Sequence, residues 1–154
     1  SGFESACFNP FDWIKECQQL SDEGAAVLAA MRIAEALIVT PSGNKSPFFY
    51  DLPRQFLAGV ILHVLTIHPA SDHNLPYVRD LLIHGYRVTS DEGLEATQGD
   101  EPHQLLLRIM LKNPAFDGVI AGAASAMVTA AGETLGSLRA TLLAAVAGLF
   151  CYYI

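Results

Sequence analysis

One stretch constrains the fold more than any other: Ser46 to Pro69, SPFFYDLPRQFLAGVILHVLTIHP. Three consecutive aromatics, Phe48, Phe49 and Tyr50, lead through Asp51 into a run whose strongly polar members are Arg54, Gln55 and His63. Leu57, Ile61, Val64 and His68 fall on one stripe at helical steps, while Phe56, Val60, Leu62, Leu65 and Ile67 fill most of the remaining circumference. A helix apolar nearly all round is either wrapped by other helices or lies in a membrane.

Composition favours the wrapped alternative. The chain has 154 residues, enough for one domain with a real core. It is 51% hydrophobic and only 16% charged, with a mean hydropathy of +0.31. Its longest apolar runs, Gly118 to Gly132 and Ala140 to Ile154, fall short of the about twenty residues of a membrane span. The expectation is a buried central helix. The excess apolarity, the abrupt Ser1-Gly2 start and the stop inside an apolar run also fit a piece of a larger protein, with a face that packs on another domain. Cys7, Cys17 and Cys151 form no CxxC and cannot all pair, so reduced thiols are expected.

Taken in order, residues 1–20 read as an N-terminal arm, extended as far as Asn9-Pro10, with Phe8, Phe11 and Trp13 fastening it to the bundle. Asp12 is the expected cap of a short helix from Ile14 to about Leu20. Ser21 is the expected cap of a second helix, whose stripe is Val27, Met31, Ala34 and Ile38; a loop from Thr40 to Lys45 ends it. In the central stretch, Pro53 requires either a fresh helix start at Asp51 or Leu52, or a kink in a helix begun at Pro47. Asn74 caps a helix from Leu75 to Ile83 that His84-Gly85 closes. Residues 86–101 form an acidic loop carrying Asp91, Glu92, Glu95, Asp100 and Glu101 against one base, Arg87. A helix follows from Pro102 to Lys112, broken by Asn113-Pro114. Residues 115–154 read as an Ala/Gly-rich helical hairpin split near Gly132. Its small residues, among them Gly118, Gly122, Ala126 and Ala130, let two backbones approach. No alternating strand pattern stands out, so the expected fold is all-α, a compact bundle of about six to seven helices with a long buried central one.

Catalytic signatures are missing. There is no phosphate-binding loop, GxGxxG, HExxH, GxSxG or EF-hand pattern, so no catalytic, cofactor or metal residue is nominated. His63, His68 and His73 recur every fifth position, which on a helix leaves neighbours about 140° apart and ill placed to share a metal. A net charge of −7 and a pI near 5.0 argue against a stand-alone binder of nucleic-acid phosphate. The residues thus point to an interaction module.

Several segments in order then resemble one family. CFNPFDWI resembles the FNPLD-type stretch of type IV secretion coupling proteins, the TraG/TraD-like hexameric ATPases. RIAEALIV with FFYDLPRQFLAGVILHVLT is similar to their ALA-ALI…FWDEAARALLAGLILHV segment, LPYVRDLLIHG to a short VRxLL helix, and GETLGSLRATLLAAVAGL to a later S-x-L-S-T helix. FFYDLPRQ departs from the family's FWDEAARA at Pro53. The resemblance implies the all-α domain inserted in the nucleotide-binding domain of such an ATPase, with no cofactor in this fragment and ATP and Mg²⁺ bound by the parent. It implies a hexameric parent at the cytoplasmic face of the bacterial inner membrane, the isolated domain being expected as a monomer. The implied partners are effector proteins or a relaxase presenting a secretion signal. DNA binding and hexamer contacts are the alternatives. With the negative charge favouring protein cargo, the expected docking residues are Asp91, Glu92, Glu95, Asp100 and Glu101.

Overall fold

The structure, a computed structural model, describes residues 9–20, 22–39, 47–86 and 102–130, with side chains omitted at 47–49 and 102–103. Among them are six α-helices, two short 3-10 turns and no strand. They are α1 (Pro10–Leu20), α2 (Glu23–Leu37), α3 (Pro47–Ile67), α4 (Leu75–His84), α5 (Pro102–Leu111) and α6 (Val119–Thr129). The fold is all-α, as the periodicity predicts.

α3 is the axis. Every residue from Phe56 to Val64 is buried, as are Leu52 and Pro53. α2 covers one side and α6 another; α1 packs on α2, and α5 on α6. Full burial of each such aliphatic side chain stabilises the fold by about 1.5–3 kcal/mol, so this helix dominates the core. α3 runs continuously through Pro53, from Pro47 to Ile67. A proline inside a helix costs about 3 kcal/mol through its missing N–H and ring clash, and the buried packing of Pro53 and its neighbours offsets that cost. Arg54, one residue on, donates from Nε to the carbonyl of Ile38 at 2.7 Å. Ile38 terminates α2, so a cation meets the negative end of that helix and ties it to α3.

Several boundaries differ from the sequence expectation. α1 begins at Pro10, because Asn9 caps it: its Oδ1 accepts from Phe11 N and its carbonyl from Asp12 N. Asp12 therefore sits in the first turn, where an acid suits the helix dipole. Phe11 and Ile14 are fully buried, Trp13 is 37% exposed, and Phe8 lies outside the described residues. Asp22, not Ser21, caps α2, accepting from Ala25 N at 3.1 Å. Asn74 caps α4 as expected, through Tyr77 N at 2.8 Å, and Gly85 closes it at a positive φ of 68°. α6 is the first arm of the expected hairpin; its second arm, like Cys7, Cys151 and the side chains of Phe48 and Phe49, lies outside the described residues. Gly118 and Gly122 face solvent. Among the described residues, a tight contact lies between Gly59 on α3 and Ala123 on α6, where a Cβ on Gly59 would lie 2.6 Å from that of Ala123.

Candidate functional site

The bundle's polar chemistry is concentrated at one end of α3. His63 is fully buried in the apolar sheath, and a buried imidazole needs partners. Its Nε2 lies 3.0 Å from the hydroxyl of Tyr86, and its Nδ1 lies 2.9 Å from the side-chain amide of Asn113. The same hydroxyl is 2.6 Å from Nε2 of His68, whose Nδ1 is 3.1 Å from the hydroxyl of Tyr77 and 3.8 Å from Oδ2 of Asp72. Asn113 Nδ2 also donates to Thr66 Oγ1 at 3.0 Å, and Thr66 Oγ1 donates to the carbonyl of His63. His73 Nε2 donates to the carbonyl of His68 at 2.8 Å, while its ring stacks on Phe11. Asn9 Nδ2 donates to the carbonyl of His73 at 2.6 Å. The Nδ1 of His73 is buried without a partner.

The donors and acceptors can be assigned. Ala115 N–H can only donate, and it reaches Asn113 Oδ1 at 3.0 Å. The Asn113 amide group therefore turns its N–H bonds toward His63, so His63 Nδ1 accepts and the ring proton sits on Nε2. That proton points at Tyr86, whose own O–H is directed to His68 Nε2. The Asp72 carboxylate favours a proton on the opposite nitrogen of His68, facing Tyr77. The His63 pKa is accordingly lowered from 6.5 to about 4, first by burial and then by His68 nearby.

This arrangement corrects the helical-wheel separation of His63 and His68. α3 ends at Ile67, His68 lies in the following bend, and the two rings come to 6.3 Å with edge-on geometry, bridged by Tyr86. Tyr86 and Asn113 carry no short-range signal: Asn113-Pro114 reads as a helix breaker and Tyr86 as a residue after a closing glycine. Beyond Asn113, Phe116 and Asp117 both adopt φ 55° and ψ 38°, and Gly118 follows at φ 87°. Left-handed backbone is uncommon for residues with a Cβ, and the Asn113–Ala115 bond holds the entrance to that turn.

The five expected docking acids, Asp91, Glu92, Glu95, Asp100 and Glu101, lie outside the described residues. What the network does anchor is Tyr86, at the base of their stretch; Pro102, at its other end, begins α5. A second feature is an open depression of about 570 Å³ between α2, α3 and the start of α6. Met31 and Val119 give it apolar walls, and Glu35, Asp51, Arg54 and Gln55 complete its lining. Arg54 is engaged there by Asp51 at 3.6 Å and by the Ile38 carbonyl. Among the described residues, no helix is long and apolar enough to cross a membrane, and no cluster of three or more His, Cys, Asp or Glu is arranged to hold a metal ion.

No curated protein and no solved structure matches the chain. A family does: the one described as type IV secretory system conjugative DNA transfer, over residues 1–146. With nearly the whole chain matched in sequence and an all-α bundle around its central helix, this protein belongs to the type IV secretory system conjugative DNA transfer family.

Proposed function

We propose that this domain recognises cargo for a type IV secretion coupling ATPase, docking an effector protein or a relaxase through the acid-rich stretch between Tyr86 and Pro102. The observation that carries this reading is the clamp on Tyr86: a rigid apolar bundle places its buried polar network at the base of the chain's most acidic segment. Binding residues favour polar stretches presented by a rigid scaffold. Five acids against one base suit a cationic secretion signal. In this reading the domain itself is not catalytic and holds no cofactor. ATP and Mg²⁺ belong to the parent ATPase, a hexamer at the cytoplasmic face of the inner membrane. Titrating the chain with the terminal signal region of a cognate cargo, followed by NMR, tests it. Shifts confined to residues 86–104 are expected, and unchanged resonances there remove the stretch from consideration.

A second reading takes the family's description, conjugative DNA transfer, at face value and has the domain touch DNA directly. It predicts salt-sensitive retardation of DNA by the chain. A charge of −7 weighs against it, and absence of retardation at low salt would eliminate it.

A further inference from the structure

The buried network has two ends: one is a hydroxyl shared by two imidazoles, the other an amide that holds a left-handed turn. His63 joins them. Its Nδ1 can only accept from Asn113, and Asn113 cannot turn over, since its Oδ1 is held by Ala115 N–H at 3.0 Å. A proton arriving on Nδ1 would set two N–H groups against each other at 2.9 Å. The conflict is relieved when the two groups part: movement of the ring breaks its bond to Tyr86, and movement of the Asn113 amide frees the Ala115 N–H, so one proton loosens both ends of the network.

We propose that His63, Tyr86 and Asn113 form a proton-sensitive latch, closed when His63 is neutral and opened at both ends together when Nδ1 takes a proton. One end is the root of the acid-rich stretch; the other is the Ala115–Gly118 turn from which α6 starts. The left-handed Phe116 and Asp117 give the open state something to relax toward, because their backbone strain persists only while the surroundings enforce it.

The surroundings of His63 support a neutral ring. From the bend after α3 come His68, at 6.3 Å between rings, and behind it Asp72 and His73. α4 supplies Tyr77 on the far side of His68, and the segment after it supplies Tyr86. α5 carries Arg108, half-buried, and Lys112 follows it, exposed; Asp117 on the next turn is exposed. α6 buries Ile120, Ala123, Ala124 and Met127, none of them titratable. On α2, Arg32 and Glu35 are exposed and pair with each other. The only carboxylate among the network's described contacts, Asp72, reaches His68 and not His63. Burial and the neighbouring imidazole depress the His63 pKa to about 4, in agreement with this geometry.

The test is a pH titration of the isotopically labelled 154-residue chain from neutrality into acid. It follows the His63 ring nitrogens, the Tyr86 ring and hydrogen exchange at Ala115–Gly118. With the intrinsic pH dependence of exchange divided out, opening at Ala115–Gly118 should rise about tenfold per pH unit through the window, one proton per opening. Tyr86 should respond over the same window. The amides of Leu57 and Ile61 should stay protected; if they open at the same pH, the event is ordinary acid unfolding and the latch is refuted. Different midpoints for Tyr86 and the turn would refute it too. Asn113→Asp keeps the Ala115 bond and offers an acceptor to a protonated Nδ1, so its turn should stay closed in acid; loosening at the wild-type midpoint overturns the proposal. Should that variant not fold, His63→Phe keeps a ring that cannot titrate. Both ends should then lose their shared acid response, and its persistence would be decisive against the latch.

Discussion

At the scale of single residues, His63 is a fully buried titratable side chain at the centre of the polar network. Its pKa is 6.5 when unfolded and about 4 in the fold, so the unfolded state takes up a proton first as the pH falls. The stability tied to its neutral ring is fully present above 6.5 and is lost progressively between 6.5 and 4. Linkage gives a loss of about 2 kcal/mol between pH 7 and pH 5. Urea denaturation at those two pH values, in the parent chain and in His63→Phe, checks this: the variant should lack that part of the pH dependence. Little of this was legible in the sequence. The five-residue spacing of His63, His68 and His73 is visible, but a helical wheel separates the first two, and only the end of α3 at Ile67 and the arrival of Tyr86 reunite them. Asn113 is paired with His63 across 50 residues, a distance no local pattern reports.

At the scale of elements, the apolar periodicities carried most of the fold. The cap at Asn74, the closure at Gly85 and the all-round hydrophobicity of α3 each appear where local physics puts them, whereas the buried face of α2 runs through Ala26, Ala29, Ala30, Ile33 and Ala34, leaving Val27 and Met31 of the expected stripe half-buried at its edge. The misplacements have local causes. Asn9 captures the start of α1 from Asp12, and Asp22 takes the cap of α2 one residue after Ser21, because both acids and serines can cap and only the backbone turn decides between neighbours. The small residues of α6 were expected to meet a second hairpin arm that lies outside the described residues; among the described ones, Gly59 and Ala123 bring α3 and α6 together. A methyl group at Gly59 has no room there. Gly59→Ala gains about 1 kcal/mol of helix propensity but overpacks a core, which typically costs about 1–3 kcal/mol. The variant should be net destabilised in a denaturation curve, and adding Ala123→Gly should recover most of the loss. Equal loss in the single and double variants would show that the two helices do not meet in this way.

At the scale of the whole molecule, charge separates the two functional readings. Replacing Asp91, Glu92, Glu95, Asp100 and Glu101 with their amides removes five negative charges and takes the chain from −7 to −2. If those acids receive a cationic signal, binding should weaken by an order of magnitude or more at low salt, and what remains should depend little on salt. Calorimetric titration at low and moderate ionic strength, with circular dichroism confirming an intact bundle, provides the comparison. Cargo binding unaffected by the five substitutions would place the contact elsewhere on the domain. The family itself was legible from ordered segments along the chain, whereas a binding partner was not, because polar surface residues follow no packing rule.

The polar network also sets an order of events in time. Its bonds join residues 23, 50 and 64 positions apart, from Tyr86 to His63, Asn113 to His63 and Asn9 to His73. Closing such long loops costs entropy before any bond repays it, while α1 with α2, and α5 with α6, pair between near neighbours in the chain. The network should therefore assemble after those two helix pairs. Asn113→Ala should leave the folding rate nearly unchanged and speed unfolding, with a φ-value near zero in stopped-flow chevrons. The corner that presents Tyr86 should then come undone before the α1–α2 and α5–α6 pairs part when the domain is pulled apart.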